Sequence, residues 1–577
     1  MRLKLHSIES QNDYGSRMWI VNLNESKSDK IEAKLRLITQ NLLFNRIKYK
    51  IIYNLQMSSN SRLKPDLSTV QIIFLSLFGG LGTGILFSPI GMIAVAGSGS
   101  FIAWVFGGTG FLLIALVIGE MTLAHPEAGG PARWLLYTHG ASLNLISALT
   151  NIVYYVLIPP LEALAVVEAL NNFTHSFLNN VGNPTLLGGL VGTVLVLTFI
   201  PFNYFGVKRM GQASLSLGII KLILFLVIPI GLVIAFFNSS NFVGHGGFLP
   251  FGISGVFVAM PLAMFAFSGV RFVPDFAEEI RNKRKIILAL AVILISQTVL
   301  FILFTYTTIG SLNWAAIGIS PGSWSSLSNI PGNPYIFLGQ MLKSNVLLGA
   351  AIIAGILSPF VAGYIYLGGG VRILFASARS SIVSKYLKEL NTKYTIPSKA
   401  LFTFAIIGAV LVFISAPAPG IFHIIVDITA AEYFSFAVIP VAMESSRRLK
   451  TTEYRIKGGS IFAAVSFIFI SLVIFWSGWP ADPYTALLIL AGALIFGLVY
   501  KVRGEFKNSI WFIVYIFYIV GLSYIGSDGA LNLISFDITS LIIAVTSLAF
   551  YWWGIHARLQ KPYLEPTTRS GESEATN

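Results

Sequence analysis

After residue 66 the chain is patterned as a series of apolar runs of membrane length, separated by short polar or Gly/Pro-rich stretches. A bilayer core of roughly 30 Å is crossed by about 20 apolar helical residues, so each run predicts a membrane-spanning helix. Fourteen spans are predicted, near 69–96, 99–123, 143–172, 184–203, 213–237, 250–275, 286–311, 345–376, 400–415, 419–443, 459–477, 484–501, 509–526 and 538–556. The expected fold class is an all-α polytopic membrane protein.

The polar stretches between the runs orient the series, because cytoplasmic loops collect Lys and Arg. Alternate loops carry Arg133; Lys208 and Arg209; Arg281 with Lys283 to Lys285; Arg379 with Lys385, Lys388, Lys393 and Lys399; a cluster from Arg447 to Lys457; and Lys501, Arg503 and Lys507. The intervening loops hold Lys343 alone. Both termini are therefore expected in the cytoplasm of a protein of the cell membrane. Residues 1–66 differ in kind, with 12 Lys+Arg, 6 Asp+Glu and no span-length run. They read either as a basic cytoplasmic arm drawn to anionic lipid or, for residues 1–56, as the product of too early a start codon, since Met57 opens a short polar lead into the first span. Residues 557–577 read as a cytoplasmic tail.

Composition agrees with the pattern. Of 577 residues, 55% are hydrophobic and 11% charged, with a mean hydropathy of +0.75, whereas a soluble domain is roughly 25% charged. A soluble enzyme is excluded, and no nucleophile–base pair suggests a membrane one. The net charge of +14 follows from membrane orientation and does not imply a nucleic-acid partner. With no cysteine, disulfides and thiolate metal sites are excluded. The histidines show no ligand spacing, so no metal or other cofactor is expected.

Two spans are built to break. The first contains Gly79-Gly80-Leu81-Gly82-Thr83-Gly84, and each glycine weakens a helix by about 1 kcal/mol relative to Ala. The sixth contains Phe265-Ala266-Phe267-Ser268-Gly269 and then Pro274. Thr83-Gly84-Ile85-Leu86-Phe87-Ser88-Pro89 aligns with Ser268-Gly269-Val270-Arg271-Phe272-Val273-Pro274, both reading [Thr/Ser]-Gly-[β-branched]-x-Phe-x-Pro. An offset of five spans makes the second copy cross in the opposite sense, which is an inverted repeat. Paired interrupted helices in inverted halves mark the midplane binding site of secondary transporters. The other reading is that the small residues only permit close packing. Free N–H groups in one break and free carbonyls in the other match the carboxylate and ammonium of an α-amino acid.

These residues resemble the amino acid–polyamine–organocation superfamily of secondary transporters. The likeness rests on Gly82-Thr83-Gly84-Ile85-Leu86, Glu120 with His125-Pro126-Glu127-Ala128-Gly129-Gly130, Asn203 to Lys208, Phe265 to Gly269, and Glu278 to Asn282. More narrowly, Tyr137-Thr138-His139-Gly140, Leu357-Ser358-Pro359, Phe475 to Trp479, Ser523 to Gly526 and Tyr551 to Trp553 resemble bacterial aspartate–proton symporters. The resemblance covers roughly 67–556. It implies a leucine-transporter-like fold of two inverted five-helix repeats, 67–237 and 250–443, followed by four helices, 459–556. It also implies that the backbone of Gly82, Thr83, Gly84 and Ile85 takes the substrate carboxylate, and that the carbonyls of Phe265, Ala266, Phe267 and Ser268, beside Gly269, take its ammonium. Phe265 falls where the family often has an aromatic lid. Lys221 matches a lysine that some members keep in the fifth span where sodium-coupled relatives hold an ion.

Intramembrane charges are costly and mark function or pairing. Lys221 is read as the proton-coupling residue, or as a lysine snorkelling to the cytoplasmic surface. Arg271 either recognises a second substrate carboxylate or pairs with Asp275 one turn later, with the local pair favoured. Arg372 is expected to snorkel. Glu120 is a further candidate charge partner; Glu162, Asp427 and Glu432 are read as proton carriers, as counter-ions for Lys221 or Arg271, or as residues near a membrane surface, and Glu168 as lying near the outer surface. The expected function is proton-coupled amino acid symport by alternating access, acidic amino acids favoured, with the amino acid, protons and the lipid bilayer as partners. The alternatives are an amino acid or polyamine exchanger and a non-transporting, transporter-like sensor.

Overall fold

A computed structural model describes residues 62–416, 431–502, 504–527 and 529–563. The basic N-terminal arm, the C-terminal tail and Asp427 lie outside the described residues. Within them the regular structure is helical, and β pairing is confined to isolated bridges such as Leu67 with Ile280. The helices that matter here are α1 (Thr69–Gly80), α2 (Thr83–Ala96), α3 (Ser100–Ala124), α4 (Ala141–Thr174), α5 (Leu186–Tyr204), α6 (Val207–Ala235), α7 (Met260–Ala266), α8 (Phe272–Asp275), α9 (Ile286–Gly310) and α10 (Asn345–Arg379). They continue with α11 (Ser398–Ser415), α12 (Ala431–Arg448), α13 (Gly459–Ser477), α14 (Ala481–Val499), α15 (Ile510–Ile525) and α16 (Phe536–His556).

Eleven helical stretches in the described residues are long and apolar enough to cross a membrane, or up to 12 with a bent pair taken as one span. The expectation of fourteen differs for local reasons. The predicted first span is split into α1, only 12 residues long, and α2, which runs on through the turn at Gly97–Gly99 into α3 as one stretch of 42 residues. The predicted tenth span is described only from Ala431 onward.

Helix α6 shows how burial is set where both faces are apolar. Ile219, Ile223, Leu226 and Ile230 are exposed, forming a stripe that suits lipid. Ser214, Gly218, Lys221, Phe225, Ile228 and Leu232 recur every three or four residues on the opposite, buried face. Lys221 therefore points inward because of its register on the helix. Small residues set the approach of α10: a Cβ on Gly369 would lie 2.7 Å from the Tyr155 ring, and one on Gly363 would lie 2.4 Å from Phe199. Helix α10 thus packs closely along α4 and α5.

The two interrupted spans cross each other. Ser68 caps α1 through a reciprocal pair with Gln71, and α1 ends at Gly80. Helix α7 ends at Ala266, and the chain continues through a tight turn at Ser268–Arg271 into α8, the two arms of the span being bent by 41°. A Cβ on Gly80 would lie 2.7 Å from both N and Cα of Gly269, and one on Gly269 would lie 2.4 Å from the carbonyl oxygen of Ser76. At this crossing the glycines permit backbone contact, as the packing reading of the glycine run supposes. Gly84 is less confined, its added Cβ meeting Ala266 Cα at 3.4 Å.

Candidate functional site

The break in the first span is closed by two charged side chains. A helix leaves its last carbonyls and first N–H groups without intrahelical partners. Lys221 Nζ donates to the carbonyls of Phe78 (2.8 Å) and Leu81 (2.9 Å) at the end of α1, and to that of Ser358 (3.3 Å) on α10. Across the break, Glu162 of α4 accepts from the Thr83 N–H (3.1 Å to Oε2) and from Thr83 Oγ1 (3.1 Å) at the start of α2. The cation thus sits at a helix C-terminus and the carboxylate at a helix N-terminus, each opposite the helix charge that favours it. Lys221 is fully buried and does not snorkel, and Glu162 is 1% exposed. The N–H groups of Gly84 and Ile85 follow in the first turn of α2 and find no acceptor among the described residues.

A cavity of about 580 Å³ ends on this break. Thr83, Gly84, Phe265 and Tyr433 line it, together with Phe87 and Ser88 of α2 and Leu161, Leu164, Ala165 and Glu168 of α4. It reaches the loops around 178–184 and 327–334, on the side poor in basic residues. Of the expected site residues, Thr83, Gly84 and Phe265 reach the wall. Ile85, Ala266, Phe267, Ser268 and Gly269 are buried beside it. Gly82 faces Glu162, with an added Cβ 2.4 Å from Oε1. Of the carbonyls expected to take an ammonium, that of Ala266 accepts from Gln297 Nε2 at 3.4 Å.

Several wall residues escaped sequence reasoning. Leu161, Leu164, Ala165 and Glu168 share one face of α4 at spacings of three, four and seven, which the pattern did contain. Glu168 is correspondingly a wall residue, set beside Gly332 of the loop at the cavity's outer end. Tyr433 carries no sequence signal, and its hydroxyl donates to the Pro261 carbonyl at 2.5 Å.

Beside the second break is a buried cluster centred on Arg271. Its guanidinium donates to Ser435 Oγ (2.7 Å) and Asn151 Oδ1 (2.6 Å), lies over the rings of Tyr154 and Phe436, and stands 3.8 Å from Glu432 Oε1. The favoured Arg271–Asp275 pair is not formed. Asp275 instead accepts from the Tyr155 hydroxyl, because the tight turn at Ser268–Arg271 displaces the four-residue register on which an α-helical pair depends. Tyr366 links the cluster to the break, its hydroxyl 2.6 Å from Ser268 Oγ and 3.2 Å from the Tyr154 hydroxyl.

On the side rich in basic residues, ion pairs join the helix ends. Arg372 makes a two-pronged contact with Glu279 (2.7 and 2.8 Å), Arg379 meets Glu278 (2.7 Å), and Arg447 makes a two-pronged contact with Glu120 (2.6 Å each). Arg372 is 2% exposed; the loop carrying Glu279 folds back over it, so it pairs instead of snorkelling. Glu120 is thereby assigned a partner away from the breaks. Burial alone would raise Glu278, but Arg379 and the N–H groups of Leu63 and Ala128 outweigh it and hold the carboxyl below its ordinary range.

Residues 67–499 match the family model described as amino acid permease. The chain is 28% identical over 542 residues to the glutamate/serine transporter AimA of Bacillus subtilis (strain 168), covering 89% of this chain and 99% of the relative. It is 26% identical over 529 residues to the aspartate-proton symporter of the same organism, covering 88% and 99%. It is also 26% identical over 406 residues to the aromatic amino acid transport protein AroP of Escherichia coli (strain K12), covering 68% and 84%.

Proposed function

Since the chain belongs to the amino acid permease family, we propose that it is a proton-coupled symporter of amino acids that works by alternating access, with acidic amino acids favoured. The observation that carries this reading is the cavity ending where the two broken spans cross, with the free N–H group of Gly84 on its wall. Such a donor suits the carboxylate common to all α-amino acids, and Phe265 and Tyr433 line the same cavity. The preference for acidic substrates is supported by the glutamate and aspartate in the names of two relatives.

Coupling is assigned to Lys221 and Glu162. Both sit behind the substrate cavity and contact the broken helix directly, so a proton gained or lost there alters how α1 and α2 are held. Alternating access then follows from geometry. The cavity is open toward loops poor in Lys and Arg, which orientation by charge puts outside, while the pairs Arg372–Glu279, Arg379–Glu278 and Arg447–Glu120 hold the opposite end shut. In this reading the chain has fourteen spans with cytoplasmic termini, spans 1–5 and 6–10 being inverted repeats.

The reading is tested by uptake of labelled L-aspartate, L-glutamate and L-serine into proteoliposomes, with and without an inward pH gradient. Accumulation that requires the gradient is expected, and greater for the acidic pair. Uptake that instead requires a counter-substrate inside would favour exchange, and no uptake would refute the proposal.

A further inference from the structure

The outer part of the cavity has a chemistry that the floor does not use. Among its described lining residues Glu168 is the one acid, and none is Lys, Arg or His. Its Oε1 makes no hydrogen bond with any described residue. Gly332, on the facing loop, lies against that buried atom, and a Cβ there would come within 3.1 Å of it. The surrounding wall is apolar or small: Leu164, Ala165, Leu178, Pro184, Ile330 and Pro334. A carboxylate without a cationic neighbour in a concave, low-dielectric wall focuses negative potential and draws cations.

We propose that Glu168 forms an outer binding station for the α-ammonium group of an incoming amino acid, ahead of the floor at Gly84. An ammonium supplies three donors and a full charge, which is what an unpartnered carboxylate oxygen lacks. Glu168 stands six residues beyond Glu162 on α4, about 9 Å along the axis, so a ligand held there is outside the break and still within the cavity. The station reads the ammonium common to all α-amino acids and leaves the choice among side chains to the floor. This inference rests on the transport reading only for the nature of the ligand.

The test exploits the absence of cysteine. Ser328→Cys places one thiol on the exposed lining of the cavity in the full-length protein in liposomes. Its reaction rates with cationic trimethylammonium-ethyl and anionic sulfonatoethyl methanethiosulfonates are compared with those of a free thiol. A cationic preference of at least about 5-fold over the free thiol is expected from a partly hydrated carboxylate nearby, retained in Glu168→Asp and abolished in Glu168→Gln. L-serine should slow the reaction and glycerate, which has a hydroxyl in place of the ammonium, should not; Glu168→Gln should remove the serine protection. A rate ratio indifferent to Glu168→Gln, or equal protection by serine and glycerate, overturns the proposal. A protein that passes both tests but moves no amino acid would refute the transport reading and leave the station standing.

Discussion

Replacing Lys221 by Met keeps an unbranched side chain, one atom shorter, and removes its charge and donors. Three buried carbonyls then lose a partner, at about 1–3 kcal/mol for each one left unsatisfied, and Glu162 loses the nearby cation with which it interacts. Glu162 is also left facing the site without that charge, and because these costs fall on one site the expected destabilisation of Lys221→Met is about 4 kcal/mol. Glu162→Gln should cost less, about 1–2 kcal/mol, since the amide oxygen still accepts from Thr83. The double variant leaves no uncompensated charge, so it should be about 2 kcal/mol more stable than the sum of the singles implies. Equilibrium unfolding in mixed SDS micelles, followed by far-UV circular dichroism, measures all four proteins. Costs that add to within about 0.5 kcal/mol would refute electrostatic coupling between Lys221 and Glu162 across the helix break.

Other outcomes follow from single contacts. Gly269→Ala should disrupt folding, because its Cβ would meet backbone at 2.4 Å, whereas Gly84→Ala, at 3.4 Å, should fold and be recovered as monodisperse protein; size-exclusion chromatography of the two separates them. Glu279→Gln removes the carboxylate paired with buried Arg372 and should increase thiol labelling from the cytoplasmic side of a cysteine placed at Ser377, with unchanged labelling taken as evidence against a closed gate there. His139 lies in the connection before α4, its Nε2 2.9 Å from the Gly554 carbonyl. Burial and then Arg558 push its pKa down to about 4, against the opposing pull of that carbonyl. The unfolded chain therefore binds the extra proton between about pH 6.5 and 4, and stability should fall by up to about 3 kcal/mol as pH is lowered through that window. In His139→Asn this component of the pH dependence should vanish from thermal melts.

Much of this was written in the sequence. The glycine run located the first helix break, each glycine weakening the helix by about 1 kcal/mol, and the aligned Ser268-Gly269 copy with Pro274 located the second. What the pattern did not carry was rotation about each helix axis. In water the polar face reveals orientation, but a lipid-facing surface is as apolar as the core, so Tyr433 could not be told from its neighbours. The exceptions are polar: Glu162 and Glu168 were visible as charges, yet their different roles depend on which face of α4 meets the break and which meets the cavity. Partners distant in sequence were also hidden. Glu432, an expected counter-ion for Arg271 as the alternative to nearby Asp275, does stand beside it, but the guanidinium's hydrogen-bond partners Asn151 and Ser435 on α4 and α12 carried no signal. Nothing in the helix that carries Arg372 foretells Glu279.

Coupled transport through the paired breaks is tested most directly by the proton itself. Proteoliposomes loaded with a pH-sensitive dye and containing wild-type protein should acidify inside when L-aspartate, L-glutamate or L-serine is added outside. Those containing Gly84→Val, in which a β-branched side chain crowds the break, should not. Uptake of labelled amino acid without acidification, or full acidification by Gly84→Val, would contradict it.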